Sequence, residues 1–192
     1  DNADILIESI AGPKIYDLTA TELIKAGWLV QPKIYFINIP MKKHLGSTYH
    51  EVYSNYVVDN ESRNELIIKS ATQMVNKKRK VLILVNRINH GKILYNLMKD
   101  DFKIAILDGS DNSDKRANIS NKMRNGELDI IIASRIFDQG VDIVNLDGLI
   151  LACSGKSSCR ALQRIGRVIR PAPDKNDAIV VDMIDNCKFL RE

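Results

Sequence analysis

The chain reads as an α/β protein, a parallel sheet with helices on both faces, and three observations predict it. Short apolar runs recur at residues 81–85, 104–107, 128–133, 146–152 and 178–184. They are too continuous for strands with one wet face and suit strands buried on both sides. Stretches with helical spacing lie between several of them, the alternation that builds a parallel sheet through helical crossovers. Small, polar or glycine residues follow the first four runs: Asn86-Arg87, Asp108-Gly109-Ser110, Ser134-Arg135 and residues 154–158. Ligands of such sheets sit beyond the carboxyl ends of the strands. These four loops are therefore expected along one functional rim.

Taken in order, residues 1–32 read as a connecting piece. Thr19 and Glu22 have capping-box spacing, which predicts a short helix over 20–26 stopped by Gly27. Trp28, Leu29 and Val30 then supply apolar anchors before Pro32. Residues 33–39, rich in Ile, Tyr and Phe, read as a strand, and 41–56 as helical. Asn60 can cap a helix over 61–76 whose inward stripe is Ile67, Ala71, Met74 and Val75. Lys77-Lys78-Arg79-Lys80 suits the end of that helix, where the dipole favours cations, and reads as a solvated turn rather than a binding patch. The helix after Arg87 carries Leu94, Leu97 and Met98 inward, and a polar helix reaches Asn125.

Composition narrows the class. Of 192 residues, 45% are hydrophobic, enough for a globular core, and the length suits one domain with an appendage. No window approaches the roughly 18 apolar residues of a membrane span. A cytoplasmic protein is expected, in the host cytoplasm if viral. The acidic opening Asp1-Asn2-Ala3-Asp4 is unlike a secretory leader, and a start without Met is expected of a piece of a longer protein. Cys153, Cys159 and Cys187 have no metal-type spacing with His44, His50 or His90, so reduced thiols and no metal site are expected. A net charge of +4 hints at a polyanionic partner, and its clustering says more than its size.

The clustering is at residues 154–171, which hold Lys156, Arg160, Arg164, Arg167 and Arg170 and no acid. At 100° per residue, Leu162, Ile165 and Ile169 share one face, flanked by Ala161 and Val168. Gln163, Arg167 and Arg170 share another, beside Arg160 and Arg164. One side can dock on a core while the other presents guanidiniums, the planar and permanently charged groups suited to phosphate. A solvated basic face is the alternative. Gly166, in mid-helix, costs about 1 kcal/mol against Ala, which points to close approach of another group. Pro171 ends the helix. Upstream, Gly140 allows a tight turn, and Asp142 at the outer end of a strand could accept from a sugar hydroxyl; a structural Gly-Val-Asp turn is the alternative.

Together these stretches carry a resemblance. Ala133-Ser134 through Gly140-Val141-Asp142 resembles motif V of superfamily 2 helicases, and residues 163–170, QRIGRVIR, resemble motif VI, QxxGRxxR. Residues 81–89 resemble motif IV, and Asp108-Gly109-Ser110 with Arg116 the accessory motif after it. The order and spacing are similar to the second RecA-like (P-loop NTPase-type) domain, placed at residues 33–192, with 1–32 as the tail of a first such domain and the linker. GPKIYDLTATELIKAGWLVQP and SGKSS are similar to the UvsW/XPB-like branch, which includes phage DNA helicases.

The resemblance implies roles residue by residue. Arg167 and Arg170 would reach the γ-phosphate of ATP, with Mg²⁺, held mainly by the first domain, Arg170 being the finger. Gly140, Asp142 and Gln163 would contact nucleotide, and Asn86, Arg87, Gly109 and Ser134 the nucleic-acid backbone. Arg135 stands where the commonest motif V has Asp and could add a phosphate contact. Implied partners are DNA, as a single strand or fork, with RNA left open, and the N-terminal RecA-like domain of the same protein. DNA repair, recombination or replication is the implied setting. The sequence holds neither a GxxxxGK[ST] loop nor a DEAD- or DEAH-like box, so the chain by itself is expected to be inactive. A double-stranded DNA translocase or restriction-type motor, and a non-enzymatic nucleic-acid-binding module, are the alternative readings.

Overall fold

In a computed structural model of the chain, the structure describes residues 3–40, 46–134, 146–154, 166, 168, 170–172, 175–187 and 190. The strands are β1 (Gln31–Ile39), β2 (Val81–Leu84), β3 (Ile104–Leu107), β4 (Ile130–Ala133), β5 (Gly148–Leu151) and β6 (Asp177–Asp185). They form one sheet in the order β1-β6-β5-β2-β4-β3, and every pairing is parallel. The apolar runs are the reason. β2, β4 and β5 are buried along their whole length, and each Ile or Leu taken from water stabilises the fold by about 1.5–3 kcal/mol.

The helices are α1 (Ala3–Ala11), α2 (Ala20–Lys25), α3 (Tyr49–Tyr53), α4 (Glu61–Asn76), α5 (Ile88–Met98) and α6 (Ser113–Arg124), with a π-helical turn at Ser54–Val58 continuing α3. Strand alternation divides the core between two faces. Val81, Ile83, Ile130, Ile132 and Ile150 pack with residues of α3, α4 and α5, including Ile67, Ala71, Met74, Leu94 and Met98. Leu82, Leu84, Ile131, Leu149 and Leu151 pack with Ile119 and Met123 of α6 and with Val168. Both faces are therefore covered, as the continuous runs require.

Local signals hold at the helix ends. Thr19 and Glu22 form a reciprocal capping box, and Gly27 follows α2 at φ 78°. Asn60 caps α4 by accepting from the Arg63 N–H at 3.3 Å. Other readings need correction. Residues 3–11 form a helix that the connecting-piece reading did not include, and its Ile5, Leu6, Ile7 and Ile10 are exposed. Of the anchors at 28–30, Val30 is buried and Trp28 is 72% exposed. The helix read over 41–56 begins at Tyr49, because Thr48 with Glu51 makes a capping box there; residues 41–45 lie outside the described residues. Leu97 is 54% exposed rather than inward. It is turned about 100° from Met98, and the buried line of α5 runs through His90, Leu94 and Met98 instead.

The basic run after α4 is also more than a solvated turn. Lys77 and Lys78 are exposed, but Arg79 pairs with Asp177 at 2.6 Å and Lys80 with Asp129 at 3.0 Å. These two cations brace the amino end of the sheet across β2, β4 and β6.

Behind the opposite end sits a buried polar chain. Asn64 donates to the Val58 carbonyl at 3.0 Å, and its Oδ1 lies 2.8 Å from His90 Nε2, which therefore carries the proton. His90 Nδ1 is buried with no partner among the described residues. Burial, with the Arg63 charge as a lesser cause, pulls the imidazole down to about 3. The unfolded chain binds this proton below about pH 6.5 and the folded chain does not, so stability falls as pH drops through that window. The loss expected from His90 between pH 7 and pH 5 is about 2 kcal/mol. Urea unfolding at the two pH values measures it, and His90→Gln, which keeps a donor to Asn64, is expected to flatten the difference by that amount.

Candidate nucleotide and nucleic-acid site

Because every strand is parallel, the loops after their carboxyl ends emerge on one side. The order along that rim is Asp108–Ser110 after β3, Ser134 after β4, Asn86-Arg87 after β2, Ser154 beyond β5 and Asp185 at the end of β6. The chain crosses from β2 to β3 on one side and later returns to β5 on the other. The connections thus diverge around β2, the kind of switch point at which a parallel sheet opens a crevice.

The β3 loop is folded by its own acids. Asp108 Oδ1 accepts from the Ser110 N–H at 2.8 Å and its hydroxyl at 2.5 Å, and these hydrogen bonds hold the carboxyl below its ordinary range. Asp111 accepts from the Asp108 N–H at 2.7 Å and from Lys115 at 2.5 Å. Gly109 is left exposed, with open space where a Cβ would stand, so a backbone or phosphate could approach closely. Its carbonyl accepts from Arg116 Nη2 at 3.4 Å, while Arg116 Nε is buried with no partner among the described residues. Ser134 is buried, and its N–H donates to the Leu107 carbonyl at 3.1 Å.

Asn86 and Arg87 have partners inside the chain. Arg87 donates to Ser54 Oγ at 2.6 Å and to the His50 carbonyl at 3.4 Å, and its guanidinium carbon lies 4.6 Å from the Tyr53 ring centroid. The α3 turn thus holds that cation in one orientation. Asn86 Nδ2 donates to the Ser154 carbonyl at 2.8 Å, joining the loop after β2 to the segment that leads into the arginine stretch. The Ser154 N–H in turn donates to the Tyr53 hydroxyl at 3.5 Å, and burial pushes that phenol up to about 12.

One feature under the rim escaped the sequence reading. Arg63, fully buried, forms a bidentate pair with Asp185, Nε to Oδ1 at 3.0 Å and Nη2 to Oδ2 at 3.1 Å. Its remaining arm, Nη1, donates to the Ala152 carbonyl at 2.9 Å. The signal was available: Arg63 lies one turn before Ile67 on the inward stripe of α4, and Asp185 ends an apolar run.

Of the arginine stretch, Gly166 and Val168 are helical, Val168 is buried against the sheet, and Arg170 is exposed. No described residue comes within 4 Å of where a Gly166 Cβ would stand, so the close approach expected there is not made by those residues. Lys175 reaches back to this segment and donates to the carbonyls of Leu146, Val168 and Arg170. Burial lowers the Lys175 pKa and raises that of Asp147, while the attraction between the two opposes both effects. Arg135, Gly140, Asp142, Gln163 and Arg167, with Arg160 and Arg164, lie outside the described residues. Among the described residues no cluster of His, Cys, Asp or Glu could hold a metal ion, and no helix is long and apolar enough to cross a membrane.

Comparison with known proteins gives the family. The family model "Helicase conserved C-terminal domain" matches residues 62–172. The ATP-dependent DNA helicase uvsW of Enterobacteria phage T4 is 30% identical over 176 residues, covering 88% of this chain and 35% of the phage protein. The DNA 3'-5' translocase XPB2 of Sulfurisphaera tokodaii is 28% identical over 130 residues, covering 68% of this chain and 28% of that protein. The crystal structure of T4 UvsW aligns with a TM-score of 0.66 at 29% identity, over 81% of this chain and 32% of that one. The chain thus spans about a third of the length of these relatives. With a six-stranded parallel sheet of RecA-like form, and a family match over more than half its length, the chain belongs to the helicase conserved C-terminal domain family of superfamily 2.

Proposed function

We propose that this chain is the second motor domain of an ATP-dependent DNA helicase. Residues 1–32 are the tail of the first RecA-like domain and the linker, and 33–192 the domain itself. The observation that carries the reading is the shared rim: the exposed Gly109 backbone, Ser134, Asn86 and the stacked Arg87 stand along the same sheet end as Ser154, to whose carbonyl Asn86 donates. The exposed apolar residues of α1, together with Trp28, support a neighbouring domain against this end of the chain.

The residues fit half of a nucleotide site. Guanidiniums and hydroxyls suit phosphate, and the sequence has no P-loop, so the first domain holds most of ATP and Mg²⁺. When bound, ATP supplies a γ-phosphoryl group whose transfer develops negative charge. Arg167 and Arg170 stabilise that charge as the two domains close. Gly140 and Gln163 line the nucleotide, and Asp142 accepts from its ribose. Asn86, Arg87, Gly109, Ser134 and Arg135 grip the nucleic-acid backbone, and alternating grip moves the strand. Such contacts read phosphates rather than bases, so binding is expected to weaken steeply with salt.

The test compares ATP hydrolysis by the full-length protein and by this chain, each with and without single-stranded or forked DNA and with RNA. Stimulated turnover by the full-length protein and none by the chain is expected. Robust hydrolysis by the chain alone would sink the half-site reading. The likeness to a protein named as a DNA translocase favours one second reading, movement along duplex without unwinding, and a strand-displacement assay separates the two.

A further inference from the structure

Lys175 belongs to none of the helicase motifs, yet two of the three carbonyls its ammonium meets belong to the last of them. All three of its N–H donors find carbonyls: Leu146 O at 2.6 Å, Arg170 O at 2.9 Å and Val168 O in a shorter contact. The carbonyls of Val168 and Arg170 lie at the end of the arginine helix, where acceptors run short of intrahelical donors. Leu146 O stands at the approach to β5, next to Asp147, whose carboxylate is itself tied to the Lys80 N–H at 2.7 Å. One side chain thus pins the end of the helix to the sheet.

The position matters because Arg170 stands where the helix ends. The residue lies in a bend, immediately before Pro171, which cannot donate an N–H and disfavours helical geometry in the residue before it. Val168 anchors the helix one step earlier by burial. Lys175 holds the Arg170 carbonyl itself.

We propose that Lys175 is a positioning residue for the arginine finger, holding the backbone of Arg170 against the start of β5. The assignment rests on the reading above, in which Arg170 reaches the γ-phosphate. A finger displaced by about 1 Å can cost a hundredfold in rate. In the full-length protein, Lys175→Met is expected to lower kcat for nucleic-acid-stimulated ATP hydrolysis about 10- to 100-fold. The KM for ATP and the Kd for DNA are expected to stay within about twofold, because the loss falls in the transition state. Lys175→Arg, which keeps the charge and the donors, is expected to recover most of kcat. In an Arg170→Ala background Lys175→Met is expected to add no further loss, since effects exerted through one group do not multiply.

Wild-type kcat in Lys175→Met overturns the assignment. So does a loss that multiplies with that of Arg170→Ala, or one accounted for by the unfolded fraction in a thermal melt. Should Lys175→Met fail to fold, Lys175→Gln, with two amide donors, replaces it in the same cycle and the same outcomes decide. A wild-type protein without stimulated hydrolysis, or an Arg170→Ala variant at full turnover, overturns the reading of Arg170 on which the assignment rests, and so is told apart from a failure at Lys175.

Discussion

Arg170→Ala in the full-length protein is expected to reduce nucleic-acid-stimulated ATP hydrolysis by about 10³- to 10⁵-fold, the range over which arginine fingers act. The physical reason is differential. A guanidinium that meets the γ-phosphate as charge develops stabilises the transition state more than the ground state, so kcat should fall and the KM for ATP should move little. Arg170 is exposed, and a surface substitution of this kind shifts stability by about 0.5 kcal/mol or less. Loss of turnover with an unchanged melting curve is therefore the expected pair of results. Unchanged turnover in the Arg167→Ala, Arg170→Ala double variant would remove the finger assignment.

Arg63→Ala is expected to destabilise the chain by about 3–5 kcal/mol, because it strands the fully buried Asp185 carboxylate. Both lone-pair directions now used by the guanidinium lose their donors, and the Ala152 carbonyl loses its partner as well. Arg63→Met combined with Asp185→Leu should recover much of that loss, since replacing a whole buried ion pair by apolar groups of similar volume is often close to neutral. Urea unfolding of Arg63→Ala and of the Arg63→Met, Asp185→Leu double variant measures both quantities. A single-variant cost below about 1 kcal/mol, the scale of an exposed pair, would show that water relaxes around the site.

These two residues differ in how well the sequence revealed them. Arg170 stood out as a candidate because it repeats at helical spacing with Gln163 and Arg167 and falls in a recognisable motif. Arg63 stood out less, because an arginine near the start of an amphipathic helix ordinarily faces water, and its partner lies 122 residues away. Leu97 failed for a related reason. A broad apolar stripe leaves its edge residues undecided until the neighbouring elements define which side is covered. The run at 77–80 was divided in the same way: two of its cations face water, and two meet acids brought to the amino end of the sheet by other strands.

By itself the sequence determined what depends on neighbours along the chain. Continuous apolar runs required strands buried on both faces, Thr19, Asn60 and Gly27 set helix ends, and the loops after each run had to fall beyond carboxyl ends. Such features follow from backbone periodicity and local hydrogen bonding, which a few adjacent residues dictate. The tertiary structure decided which of these pieces touch. The strand order β1-β6-β5-β2-β4-β3 sets β5 between β2 and β6. That order brings Asn86 to Ser154, Arg63 to Ala152 and Asp185, and Lys175 to the end of the arginine helix. Contacts between residues so far apart in the chain depend on strand adjacency, and periodicity carries no record of it.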